Sequence, residues 1–240
     1  MERRPRLRKF MILAICLIAL AAMLTGCATQ TREIELNSED WAAAFAKVTD
    51  EARSKAVTDL FMRLNAGTEA MVVYDCGFLL EKRYDIPGMD KLLADWSTAV
   101  REFAMVRYQE FSQYIESMIT ASGDEQAEKI LDEGIYSVSD HFGEKVGETM
   151  VQDIFARTAD LDTTAWEKVL VQYDAWSATR KLAVGEDNPA IPQDFTDGRK
   201  VAATAMVEAF FDYMQDAEIL FRTTPNPGLN DRIAYILGLD

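Results

Sequence analysis

A single histidine and three cysteines serve the whole 240-residue chain. One imidazole, His141, cannot supply a multi-histidine metal site, and a serine or cysteine triad would have only this base to use. Cys16 lies in an N-terminal apolar run, Cys27 closes that run and Cys76 stands alone in the body, so no framework of internal disulfides is available. Proline is sparse as well: beyond Pro5, the other five (Pro87, Pro189, Pro192, Pro225 and Pro227) fall at breaks in the hydrophobic pattern. No region alternates apolar and polar residues over several strands, which argues against a β-rich fold. Glycine-rich phosphate motifs are missing, and Asp160-Leu161-Asp162 lacks the remaining oxygens and the glycine of an EF-hand loop. Basic charge is short, with 25 Lys and Arg against 40 Asp and Glu. A chain of net charge −15 repels nucleic acid and anionic lipid surfaces, so no nucleic-acid partner is expected.

What is present begins at the N-terminus. Arg3, Arg4, Arg6, Arg8 and Lys9 precede an apolar stretch over residues 10–24, the pattern of a secretory signal peptide. That stretch is shorter than the roughly 20 residues a spanning helix needs. Leu24-Thr25-Gly26-Cys27 at its end resembles the bacterial lipobox, so Leu24, Thr25 and Gly26 are read as the signal-peptidase recognition residues and Cys27 as the lipidated first residue of the mature chain. The alternative is an ordinary signal or an uncleaved anchor that happens to end in cysteine. Several acyl chains, at about 0.8 kcal/mol per buried methylene, hold a protein to a membrane almost irreversibly. The expected organisation is a signal peptide over 1–26, a polar tether over 27–38 and a helical domain over 39–240. Ala28 stands where an aspartate would retain a lipoprotein at the inner membrane of enteric bacteria. The expected location is therefore the envelope, facing the periplasm, with the outer membrane favoured over the inner. Loss of residues 1–26 removes five basic residues and one acid, leaving 20 basic against 39 acidic and a net charge of −19.

The body reads as all-α: a single multi-helix, bundle-like domain of about six to eight helices. Trp41, Phe45, Val48, Ala52, Ala56, Leu60, Phe61 and Leu64 recur at helical spacing and stop at Asn65-Ala66-Gly67. Residues 71–80 form a short apolar run that periodicity cannot assign between helix and buried strand; context favours helix. After Ile86-Pro87-Gly88 the helical period restarts through Leu93, Trp96, Val100 and Ala104, and continues through Phe111, Tyr114, Ile115 and Met118. Asp124 is placed to cap a helix through Ile130 and Leu131 that stops at Gly134. Ser137 or Ser139 is placed to cap the next, through Phe142, Val146, Met150 and Ile154, and Asp162 or Thr163 the one through Trp166, Val169, Tyr173 and Trp176. Residues 185–194 form the longest loop. A long helix over about 196–222 and a short one opened by Asn230 or Asp231 complete the chain.

The segment Phe211-Asp212-Tyr213-Met214-Gln215-Asp216-Ala217-Glu218-Ile219-Leu220-Phe221-Arg222, followed by Pro225, Asp231, Ile233, Ile236 and Gly238, resembles the C-terminal signature of the bacterial family catalogued as domain of unknown function 4197. Asp75-Cys76-Gly77-Phe78-Leu79 with Ile86-Pro87 is similar to two further elements of that family. So are residues 124–131 with Gly134, Ser139-Asp140-His141-Phe142 and Gly147. The family's second proline after Ile86-Pro87 is absent here, and its Asn-Arg-Ala-Ala-Glu helix has no counterpart between Leu93 and Thr120. The resemblance implies a divergent member of an exported helical family; it supplies no catalytic residues.

Candidate chemistry is thin. His141 with Asp140, Glu144 and Glu148 makes a stripe at a spacing a metal site uses, but an acidic solvated face explains it as well, and an aromatic often stands at that position in the resembling family. Cys76 and His141 would act as nucleophile and base only if the fold joined them; Cys76 sits in the setting of a small buried thiol. Gly143 and Gly147 either seat a helix closely against a neighbour or mark a weakened first turn. Trp166, Tyr173 and Trp176 fit core packing better than a ligand groove. No catalytic residue, cofactor or metal is assigned, and an enzyme is the less expected outcome. The expected partners are the membrane, through the N-terminal lipid, and an envelope protein. The leading expectation is a binding or assembly module of the envelope; the alternatives are a carrier of an apolar ligand and a carboxylate-dependent hydrolase.

Overall fold

The computed structural model describes residues 35–67, 77–120, 126–185 and 187–239. The chain divides into two units, Met1–Leu36 and Asn37–Asp240. The described residues of the second unit form nine α-helices, one short 3-10 turn and no strand. The all-α reading is thus correct.

Helix α1, Ser38–Ala66, starts where the side chain of Asn37 accepts from the N–H groups of Glu39 and Asp40 at 2.9 and 3.0 Å, while Asp40 accepts from the Asn37 N–H at 3.0 Å. This reciprocal pair satisfies donors that the first turn would otherwise leave open. The helix stops at Gly67, whose φ of 70° is a left-handed conformation that costs glycine nothing. Between these caps Phe45, Val48, Ala52, Ala56, Leu60 and Leu64 are buried along one face. Against that face lies α8, Gly198–Thr223, in the most extensive helix pairing of the domain.

The remaining helices wrap this central pair. The short α2, Gly77–Lys82, precedes the break at Ile86, and Gly88 at φ 77° turns the chain into α3, Met89–Val106. Arg107 alone separates α3 from α4, Tyr108–Met118. Then come α5, Ala127–Glu133; α6, Ser137–Arg157; and α7, Thr164–Val184. The 3-10 turn Gln193–Phe195 leads into α8, and α9, Asp231–Ile236, ends the described chain. α6 packs along α8, α3 pairs with α7, and α5 and α9 close on α1. Fully buried Trp96 of α3 and Trp166 of α7 meet at 5.5 Å between ring centroids, and the Trp166 indole N–H donates to the Phe195 carbonyl at 2.8 Å.

One predicted cap is corrected. Neither Ser137 nor Ser139 caps α6 from within its own turn: the Ser137 hydroxyl donates to the Gly134 carbonyl, and the N–H groups of Val138 and Ser139 point to a carboxylate of α8. Asp162 does accept from the Thr164 N–H at the start of α7, and Asn230 accepts from the Ile233 N–H at the start of α9. Asp124 and residues 71–76 lie outside the described residues; 77–82 are helical.

Candidate functional site

A concave feature built from both polar and apolar groups runs along the outer seam of α6 and α8, a groove of about 450 Å³. On the α6 side Gly143, Gly147 and Val151 succeed one another at one-turn intervals. Val207, Phe211 and Gln215 do the same on α8. Asp140, Glu144 and Glu148 rim one side and Glu208 and Asp212 the other, and no lysine or arginine lines it. Phe211 is only half-buried, and its ring rests against the two glycines: a methyl built on Gly143 would meet it at 3.9 Å and one on Gly147 at 3.8 Å. Those are ordinary contacts. Nothing among the described residues requires glycine at either position, and α6 runs unbroken through both.

The sequence-predicted candidates separate. His141 does not join the carboxylate stripe as a cluster: its ring stands edge-on to Phe45 at 6.2 Å and to Phe142 at 5.3 Å, on the α1 side of the helix. Among the described residues no three His, Cys, Asp or Glu side chains group as metal ligands would. Trp166 and Tyr173 are buried, the Tyr173 hydroxyl donating to the Pro189 carbonyl, and Trp176 is half-buried beneath the Arg180 guanidinium at 5.5 Å. The aromatic stripe is core and loop anchor. Cys27, Leu24, Thr25, Gly26 and Cys76 lie outside the described residues.

A carrier would need an apolar cavity, and the enclosed one bounded by Leu60, Leu64, Phe111, Ile115, Met150 and Phe210 measures about 30 Å³. An engineered apolar cavity that binds benzene measures about 150 Å³.

Sequence reasoning missed the most buried charge among the described residues. Glu218 of α8 is fully shielded from solvent, yet its carboxylate accepts from the Val138 N–H at 3.1 Å, the Ser139 N–H at 2.8 Å and the Ser139 hydroxyl at 2.7 Å. Arg222, one turn on, pairs with it at 3.0 Å and also donates to the carbonyls of Leu131 and Gly134. A carboxylate on the N-terminal N–H groups of α6 is favoured by the helix dipole as well as by the hydrogen bonds. Burial holds the carboxyl above the usual glutamate range, opposed by Ser139, Val138 and Arg222. The signal was a Glu and an Arg four residues apart, with Glu218 directly after inward-facing Ala217.

A second polar tie joins α4 to α6. The Tyr114 hydroxyl donates to Asp153 at 2.9 Å, and Arg157 pairs with Glu110 at 2.5 Å while lying over the Tyr114 ring. Burial and the adjacent Asp153 push the Tyr114 phenol upward. Both networks tie neighbouring helices together.

No helix among the described residues is long and apolar enough to cross a membrane. Compared with family models, with curated proteins and with solved structures, the chain finds no match.

Proposed function

We propose that this protein is a lipid-anchored, periplasm-facing binding or assembly module of the cell envelope, held at the outer membrane through Cys27, and that it offers the α6/α8 groove to an envelope protein. The observation that carries this reading is the groove itself: a half-exposed aromatic floor, two glycines the domain does not need, and a rim of one charge sign. The small internal cavity weighs against the carrier, and the position of His141 between aromatic rings weighs against paired base chemistry. The resemblance of residues 211–222 to domain of unknown function 4197 supports an exported helical protein and supplies no site.

The test is complementation of a deletion strain that has a measurable envelope defect. Glu144→Lys combined with Glu148→Lys, both on exposed positions, is expected to abolish rescue with helicity and Tm unchanged. His141→Gln and Cys76→Ala are expected to rescue fully. Loss of rescue in either of the latter, with folding intact, overturns the binding reading in favour of catalysis or metal chemistry. For the anchor, Cys27→Ser is expected to remove metabolic labelling by a fatty acid, because only a thiol forms the thioether; a labelled mutant refutes it. Fractionation with inner-membrane markers would contradict the outer-membrane placement.

A further inference from the structure

Resting on the lipid-anchor reading, we infer that the end of the helical domain where α1 begins sits on a zwitterionic lipid surface. Ile135 and Tyr136, between α5 and α6, and Tyr235 of α9 are the side chains that enter the interface between headgroups and acyl chains. Three observations point to this occupant.

The first is where the helical domain begins. Asn37, the cap of α1, follows Cys27 by ten residues, and ten residues span at most about 33–36 Å when fully extended. With Cys27 acylated, a bilayer lies within that distance of Asn37 and is the surface this end of the domain meets.

The second is what this end carries. The Phe142 ring stacks on Phe45 at 6.1 Å between centroids, which places the start of α6 beside the first turns of α1. Phe45 is eight residues from Asn37, about 12 Å along the helix. Arg232 pairs with Asp40 at 2.6 Å and fixes α9 at the same end. Arg222 donates to the Gly134 carbonyl and holds the α5–α6 connection. On this braced scaffold Ile135 is 44% exposed, and Tyr136 and Tyr235 are 45% exposed each. Tyr114 and Tyr173, by contrast, are buried with their hydroxyls bonded to Asp153 and to the Pro189 carbonyl. A tyrosine at the surface beside an isoleucine suits a lipid interface, where its ring is greasy and its hydroxyl stays wet.

The third is charge, which selects the lipid. The two basic side chains here are engaged, Lys129 with Glu133 and Arg232 with Asp40, while Asp132 and Asp231 stand exposed beside the apolar residues. In a chain of net charge −15 this end is repelled by an anionic surface and accepted by a zwitterionic one.

The experiment uses the full-length lipidated protein reconstituted in phosphatidylcholine vesicles that contain a nitroxide-labelled lipid as quencher. An environment-sensitive fluorescent amino acid replaces Tyr136, Tyr235 or, as the control, Val106. Val106 is 88% exposed and lies two residues before Tyr108, whose ring meets Phe61 toward the far end of α1. The expected quenching at 136 and at 235 is at least threefold greater than at 106. It should fall at least threefold when phosphatidylglycerol replaces half of the phosphatidylcholine. Ile135→Glu should reduce it at 235 by a similar factor, with helicity and Tm unchanged. Equal quenching at all three positions overturns the inference. So does its absence at 136 and 235 in protein that floats with the vesicles, and both results leave the anchor standing. Quenching that holds or rises on phosphatidylglycerol overturns the zwitterionic assignment. Mass spectrometry that finds Cys27 without acyl chains overturns the anchor reading and this inference together.

Discussion

Removing the Glu218 carboxylate takes the acceptor from two backbone N–H groups of α6 and the counter-charge from Arg222, whose side chain is only 8% exposed. Breaking a buried pair from one side costs about 3–5 kcal/mol, so Glu218→Ala is expected to lower the unfolding free energy by that amount in urea titration. Glu218→Gln, which keeps one acceptor oxygen, should lose less. The pH response separates burial from pairing. Burial holds the folded-state carboxyl above its ordinary range, so the folded protein keeps this proton more tightly than the unfolded chain. The group's stabilising contribution is therefore fully present below the usual glutamate value of about 4.3 and is lost as pH rises through the raised one. Acidification from neutrality toward that range should move the stability difference between wild type and Glu218→Gln in favour of the wild type. A shift the other way would mean that the Arg222 pair outweighs burial.

Glycine has two different meanings in the helices, and alanine tells them apart. At the start of α8, Gly198 lets that helix approach Thr163 and Trp166, and Gly198→Ala should cost about 1–3 kcal/mol through overpacking. In α6, Gly143→Ala and Gly147→Ala should be neutral or add up to about 1 kcal/mol each, read as a higher Tm. Legibility in the sequence divides in the same way, between local and distant causes. The stripe Phe45, Val48, Ala52, Ala56, Leu60, the stop at Gly67 and the start at Asn230 depend on neighbours within a few residues, and the folded helices reproduce them. The start of α6 does not: its cap comes from residue 218, about eighty positions away, and no local pattern reports it. The groove was half legible. Asp140, Glu144 and Glu148 were recognised as one face, but Phe211 belongs to a helix far along the chain and its half-exposure against two glycines depends on how α6 and α8 cross. His141, adjacent in sequence to that face, is drawn to Phe45 by packing that only the tertiary fold defines.

Across the whole molecule the excess of carboxylates works against compactness. With 40 acidic residues against 25 basic, self-repulsion favours expansion, and salt should relieve it. Raising ionic strength from low to physiological values is expected to increase Tm by about 2–4 °C, the shift that roughly 1 kcal/mol gives in a domain of this size. A Tm that falls with salt would instead make surface pairs such as Lys47–Glu51 and Lys91–Asp95 the dominant charge effect. The tilted contact of Trp96 and Trp166 has a spectroscopic consequence. Two indoles at 5.5 Å, both wholly shielded from solvent and carried by different helices, couple their electronic transitions. Their circular dichroism should therefore show an exciton couplet that exists only while α3 and α7 are docked. Iodide, by contrast, should quench the emission of half-buried Trp41 and Trp176 while leaving the inner pair bright. The protein thus carries a label-free optical gauge of one particular helix contact.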